Sequence, residues 1–387
     1  MKSPIKLSSL IVISSLILII FCINVKGAKN EDIKVIINKN KPTNPSLSLI
    51  LKEDLSITRE GWWPTDVAVD DEGNIYAFGE KELFIYKFDS RGKEILKKVF
   101  PKGKGPGDFF FLDPYFSCDG RLFIFDKLNQ RLSILNQNCE ILDTTKIIKG
   151  NNFNLRLDSK GNMFFWVGKT LIDDETKKKS IIIALVKFSS IGEPLGEIFK
   201  FPHTPHDFDK DKNAFIQKLY APSGIYKLDS NDYVYCARSD KYEINVISPQ
   251  GELVKKIIKK GQSRKSTKKD IEKLIYKEVN APYGVEFISP KYMPYIANLF
   301  ILDNKYLLVI TYENDFDEET LAGDLFDEKG IFQNRVEVPK YYNWYYLFAA
   351  LKSNVIYKNK NFYTIETDES EENFYLKRYK MIWRNYK

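Results

Sequence analysis

The sequence predicts an all-β protein, a six-bladed β-propeller of four-stranded antiparallel blades. Three observations carry that expectation. A short polar turn between two strand-like runs occurs five times, as FDSRGKE, LNQNCEI, FSSIGEP, ISPQGEL and FDEKGIF. Glycine closes four of these turns, at Gly92, Gly192, Gly251 and Gly330, because a tight hairpin needs a residue that enters positive φ without steric cost; Cys139 stands there in the second copy. Upstream of each copy lie two more runs rich in Val, Ile, Phe and Tyr, split by a further turn at 71–73, 119–120, 159–161, 230–231 and 303–304. The resulting unit of strand, turn, strand, strand, turn, strand recurs about every 45 residues, the spacing of propeller blades.

The elements follow in order. Leu7 to Val25 form an uncharged, mostly apolar run between Lys6 and Lys26. Residues 1–27 therefore read as a signal peptide cleaved before Ala28, or as an uncleaved N-terminal anchor, since about 20 apolar residues can span a bilayer. Phe21 precedes Cys22 where a lipoprotein signal wants a small residue, which argues against lipid attachment. Residues 28–45 are polar with two prolines and read as a linker, and 46–387 form the propeller. Blade one takes strands at 65–70, 74–79, 83–88 and 93–100, and blade two takes 112–118, 121–126, 130–136 and 141–148. Blade three takes 152–158, 162–168, 180–189 and 195–201, and blade four 223–229, 232–238, 241–248 and 252–260. Blade five takes 295–302, 305–312, 320–327 and 331–338. The last unit shows three strands only, near 350–357, 362–368 and 374–383. The unassigned run LSLILKEDLSI at 47–57 supplies the fourth and closes the ring, which removes the open edges that invite aggregation. One stretch breaks the pattern: near 266–280, Ile271, Leu274, Ile275 and Val279 recur at helical spacing behind a Ser266 or Thr267 cap, so one amphipathic helix is inserted between blades four and five.

Aromatic residues make up 14% of the chain, which suits sheets packed face to face. Without residues 1–27, which carry Lys2, Lys6 and Lys26 and no acid, the formal charge falls from +7 to +4. That weak excess is spread along the chain, and with export it argues against nucleic acid as a partner. The densest basic run, 255–269, reads as a solvated surface.

In a four-stranded blade, the turns joining strands one to two and three to four share one face, and the remaining connections share the other. The first class is short throughout, while the long segments 169–179, 203–214, 261–294 and 313–319 all belong to the second. Long loops gathered on one side of a repeat scaffold make its binding face. Aromatic residues lead into the inner strands from that side, so the candidate ligand contacts are Trp62, Trp63, Tyr115, Arg156, Tyr220, Tyr283, Tyr295 and Trp344. Packing between neighbouring blades is the competing role for each aromatic.

The segment GKGPGDFFFLDPYFSCDGRLFIFDKLNQRLSILN at 103–136 resembles the Gly-x-Gly-Pro-Gly-acid-Phe segment and following blade of bacterial exported six-bladed β-propeller proteins, relatives of the NHL-repeat group. GWWPTDVAVDDEGNIYAFG at 61–79 and KYMPYIANLFILDNKYLLVI at 291–310 are similar to other blades of that group. The resemblance covers about 47 to 387. It implies a secreted or envelope-associated binding scaffold, periplasmic if not released, and carries over no catalytic residue. The charged insertion DDETKKK at 173–179 departs from the family pattern.

The chemistry-bearing residues point the same way. His203 and His206, with Asp207 and Asp209, hold ligand types for a transition metal but match no zinc spacing. NDFDEE at 314–319 lacks the glycine and downstream glutamate of an EF-hand loop, and GKGPG at 103–107 lacks the Lys-Ser or Lys-Thr of a phosphate loop. No metal or cofactor is therefore expected. Six-bladed propellers also include hydrolases, lactonases and lyases that hold a metal in the axial channel. Asp66, Asp113, Asn154, Arg156 and Asn298 lie near inner-strand starts where such a site would form, without a histidine among them. The expected function is binding of a protein, peptide or carbohydrate on the long-loop face. Membrane contact is expected only through the N-terminal segment, should it remain as an anchor. Cys118 and Cys139 fall on the short-turn face of blade two, on strands about 9.5 Å apart, which is long for a relaxed disulfide. Cys236 reads as a buried small hydrophobe.

Overall fold

The computed structural model describes residues 33–79, 81–116, 121–147, 152–172, 179–203, 206–209, 214–270, 285–303, 305–314, 320–339, 355–368 and 372–385. Its first two strands, β1 (Lys34–Asn38) and β2 (Leu47–Thr58), precede blade one but belong to later blades. Blade one is β3 (Pro64–Val69), β4 (Ile75–Gly79), β5 (Phe84–Phe88) and β6 (Glu94–Val99), and blade two is β7 (Asp113–Phe116), β8 (Leu122–Asp126), β9 (Arg131–Leu135) and β10 (Ile141–Lys146). Blade three is β11 (Asn152–Leu157), β12 (Met163–Ile172), β13 (Lys179–Phe188) and β14 (Pro194–His203). After β15 (His206–Asp209) and β16 (Ala214–Lys218) comes blade four, β17 (Gly224–Leu228), β18 (Val234–Arg238), β19 (Glu243–Ile247) and β20 (Leu253–Lys259). After β21 (Val285–Ile288) comes blade five, β22 (Ile296–Leu302), β23 (Tyr306–Thr311), β24 (Thr320–Asp327) and β25 (Phe332–Pro339). Blade six is β26 (Val355–Lys358), β27 (Asn361–Thr367) and β28 (Phe374–Asn385), closed by β2 as its outer strand. The six antiparallel sheets stand in a ring, as the repeat predicts.

The repeated turn works by local chemistry. Asp89 begins one copy: its Oδ1 accepts the Arg91 and Lys93 amides, both at 2.9 Å, while the Gly92 amide donates to the Asp89 carbonyl at 2.9 Å. Asp158, Asp229 and Asp327 use their carboxylates on the amides two and four residues on in the same way. The residue after the tight turn sits at positive φ, +83° at Gly92 and +86° at Gly330, and the flanking ladder slips by one residue. This is a type I turn with a glycine bulge, encoded within five residues. Cys139 accepts the same conformation at φ +59°; it is buried as a free thiol, with burial raising its pKa to about 11. Cys118 lies outside the described residues.

Strands two and three of the blades lie between neighbouring blades and are mostly apolar, as in β4 (IYAFG) and β5 (FIYKF), both buried throughout. Outer strands such as β6 (EILKKV) show the alternation of a sheet edge facing water. The glycine-rich connection into blade two is structural: Asp108 folds back to accept the Gly105 amide at 2.8 Å, and side chains at Gly103 or Gly105 would run into that carboxylate. Asn129 and Arg131 donate to the Gly103 and Gly105 carbonyls, each at 2.9 Å.

Three features differ from the sequence reading. Within 28–45, expected as linker, β1 adds in parallel to the outer edge of blade four, because Ile36 finds an apolar surface there and Asn38 finds backbone partners on blade five. The segment 169–179, expected as a long loop, continues as strand through Ile172 and resumes at Lys179, since β12 and β13 pair along their full length. The long segments 203–214 and 261–294 contribute β15 and β21, which join β16 in a separate three-stranded sheet, antiparallel between β15 and β16 and parallel between β16 and β21. The inserted helix begins at Lys268 behind a capping box: the Asp270 carboxylate accepts the Thr267 amide and hydroxyl at 2.7 and 2.8 Å, and Arg264 clamps it through Nη1 and Nη2. Residues 271–280, where the sequence predicts the rest of the helix, lie outside the described residues, as do residues 1–27. Among the described residues no helix is long and apolar enough to cross a membrane.

Candidate functional site

The six inner strands β3, β7, β11, β17, β22 and β26 enclose an axial cavity of about 230 Å³. Its polar wall is uneven. Asp66 and Asp113 come from blades one and two, Asn154 and Arg156 from blade three, and Lys227 from blade four, opposite the apolar Phe300, Ile301 and Val355. Bulges aim several of these groups. The β3–β4 register slips between Pro64 and Asp66, and the β11–β12 register slips between Phe153 and Arg156, with Asn154 at φ +61°. A bulge bends the strand and turns side chains that regular pleating would send between blades. The buried Tyr226 hydroxyl holds the bulged strand in place, donating to the Phe164 carbonyl at 2.9 Å and shared by that of Asn154.

Arg156 and Lys227 occupy equivalent positions, each followed by Leu-Asp-Ser in RLDS and KLDS, two residues before the aspartate that opens the inner-strand turn. Arg156 lies 5.7 Å from the Tyr115 ring centroid and donates from Nη1 to its neighbour's Leu155 carbonyl at 2.6 Å. Tyr115 is fixed by its hydroxyl, which donates to the Leu157 carbonyl at 3.1 Å. The Lys227 ammonium sits 5.2 Å from the Phe300 ring centroid, with no hydrogen bond or ion pair among the described residues. Burial pulls the Lys227 pKa down to about 7; the Arg156 charge lowers it further and Asp66 partly opposes this. At the short-turn end, Lys358 is neutralised by Asp71 at 2.5 Å and the Tyr357 hydroxyl donates to Asp303 at 2.6 Å.

The sequence-predicted contacts separate. Tyr115 and Arg156 line the channel. Trp62 is 4% exposed; its Nε1 donates to the Phe374 carbonyl at 3.0 Å, and its ring packs edge-on against Tyr86 and Phe88. The expectation of a ligand contact there gives way to packing, because the ring seals the seam between blades six and one. Trp62→Ala is accordingly expected to cost about 3–5 kcal/mol of stability, read from urea unfolding; a loss under about 1 kcal/mol would contradict this assignment. Its neighbour Trp63 is 41% exposed, against Phe374 and Lys81, and stays available. Tyr220 and Tyr295 are half-buried, their hydroxyls donating to the Asp270 and Gly261 carbonyls, each at 3.3 Å. Tyr283 and Trp344 lie outside the described residues. Asp66, Asp113, Asn154 and Arg156 converge on the channel, whereas Asn298 accepts the Leu299 amide at 2.9 Å and does not line it. His203 donates from Nδ1 to the Pro222 carbonyl at 2.8 Å. Among the described residues no three of His, Cys, Asp and Glu gather as metal ligands. Lys227 escaped the sequence reading, although KLDS repeats the pattern of RLDS.

No protein-family model matches the sequence, and no curated protein matches it. Among solved structures, the chain is similar to a Bacteroides fragilis protein named as a predicted exported protein, at 11% identity over 92% of this chain and 100% of that one, with a TM-score of 0.48. It is also similar to a duf4221 family member from Bacteroides vulgatus, at 12% identity over 87% and 99% of the two chains and a TM-score of 0.45. A third is virginiamycin B lyase from Staphylococcus aureus, at 10% identity over 86% and 99% and a TM-score of 0.41.

Proposed function

We propose that this protein is an exported binding propeller that holds a small polar ligand in its axial channel and receives it from the long-loop face. The observation that carries this reading is the channel itself: all six inner strands contribute to one cavity whose charged and amide groups face inward, where a purely structural ring would fill it with apolar side chains. At about 230 Å³ the cavity is smaller than the roughly 300–1,000 Å³ of drug-sized pockets. Of the carbohydrate, peptide and protein ligands that the aromatic-rich face invites, a single sugar ring or a short peptide end fits this space. Exposed Trp63 and Tyr292 remain on the connections at that face for a larger portion of the ligand. Export rests on the apolar segment Leu7 to Val25.

Crystals soaked with a set of monosaccharides, sugar acids and dipeptides test the reading. Density for one of these compounds is expected in the channel, against Tyr115 and Asn154. Occupancy only on outer strands, or none, would overturn it.

A further inference from the structure

Resting on that reading, we infer that the channel ligand carries a carboxylate, held between Arg156 of blade three and Lys227 of blade four. Both cations face one cavity from adjacent inner strands at the same position of the repeat, and neither has an acidic partner among the described residues. The remaining channel lysine, Lys358, is by contrast neutralised by Asp71. Two like charges directed into a confined space repel each other and lose hydration; Asp66 offsets only part of that cost at Lys227, and an anion entering between the two cations relieves the remainder. A planar guanidinium takes a carboxylate through two parallel N–H donors, and an ammonium beside it adds a point charge.

The opposite arc decides which anion. Asp66 and Asp113 face the same cavity from blades one and two, so the wall carries two carboxylates against these two cations. To that balanced wall a monoanion adds one negative charge beside the cations, while a phosphate dianion adds two and meets more repulsion from the aspartates. The polar wall of Asp66, Asp113 and Asn154, together with the cavity volume, suits a hydroxylated acid about the size of one sugar ring.

Proton uptake provides a signature independent of affinity. Lys227 is surrounded by Arg156 on β11, Asp66 on β3, Asp113 and Tyr115 on β7, Phe300 on β22, and Tyr357 and Lys358 on β26. With its pKa held at about 7 in the free protein, much of the amine is neutral at pH 8, and an anion placed beside it draws a proton from solvent. Affinity for the carboxylate should therefore fall as pH rises above about 7.

Calorimetric titration of the purified chain with D-glucuronate, D-glucose and glucose 6-phosphate is the test. Glucuronate is expected to bind at least about tenfold more tightly than glucose and than the phosphate ester. At pH 8 its binding heat should differ between HEPES and Tris in the sense of proton uptake. Arg156→Leu and Lys227→Met should each weaken glucuronate by about tenfold or more, and Lys227→Met should abolish the uptake. Because Lys227→Met removes a buried charge, its fold is expected to survive, and thermal melting of both variants confirms this. Equal binding of glucose and glucuronate, tighter binding of the phosphate ester, unaltered binding by folded variants, or no glucuronate binding up to about 10 mM would overturn the carboxylate assignment. A neutral sugar found in the soaked channel would at the same time leave the binding propeller standing.

Discussion

Replacing Asp324 by alanine is expected to remove about 3–5 kcal/mol of stability, a large share of what holds a domain folded. Asp324 is wholly buried at the seam between blades four and five. Its Oδ2 accepts from the Lys259 ammonium and the Tyr242 hydroxyl, both at 2.6 Å, and its Oδ1 accepts from Arg335 Nε at 2.9 Å. Lys259 lies between the Tyr242 and Phe332 rings, at 5.2 and 4.5 Å from their centroids. Burial already lowers the Lys259 pKa and Asp324 opposes that shift, so losing the carboxylate strands an ammonium in an apolar seam. Urea unfolding at neutral pH measures the loss. The double variant Asp324→Ala with Lys259→Met should recover part of it, because the main penalty is the unpaired charge and not the missing attraction. A single-variant loss below about 1 kcal/mol, or a double variant less stable than the single, would show that the seam does not depend on this pair.

Removing residues 34–58 is expected to abolish cooperative folding altogether. β2 pairs with β28 from Leu47 opposite Asn385 to Thr58 opposite Tyr375, and Leu47, Leu49 and Ile57 enter the cores on either side of blade six. Ahead of it, Asn38 donates to the Gly330 carbonyl and accepts the Phe332 amide, each at 2.9 Å, while the Thr43 and Asn44 amides donate to the Phe332 and Gln333 carbonyls. The N-terminal segment therefore joins blades four, five and six, and without it β28 becomes a long open edge prone to pairing with other chains. Circular dichroism melting with size-exclusion chromatography should show a broad, non-cooperative transition and aggregation. A truncated protein that melts sharply at the temperature of the intact chain would refute this closure.

The ring and its turns were legible because their code is local. An aspartate, asparagine or serine that accepts the amides ahead of it, followed by glycine at positive φ, builds the same hairpin wherever it occurs. Ring closure was legible by counting, since three strands at one end of the chain and one at the other make a blade. The helix start was legible through its Ser266 or Thr267 cap, and the structure places the cap at Thr267, paired with Asp270. β1 and the β15–β16–β21 sheet were not, because their hydrogen-bond partners lie far away in the chain: Lys34 pairs with Lys255, and Phe215 with Val285.

At the site, sequence by itself determined which residue types reach the inner strands, including Asp66, Asp113, Asn154 and Arg156, and on which face the long connections collect. Only the tertiary structure decided which of them share a cavity. Trp62 and Trp63 are adjacent and chemically identical, yet one seals a seam and the other meets solvent, because a neighbouring blade offers the Phe374 carbonyl to Trp62 alone. Lys227 reads as an ordinary strand-end lysine until closure of the ring surrounds it with five other inner strands. Strand pairing is set by short-range geometry that the chain carries with it, whereas the charge balance of the axis arises from side chains of five different blades and exists only once the ring is closed.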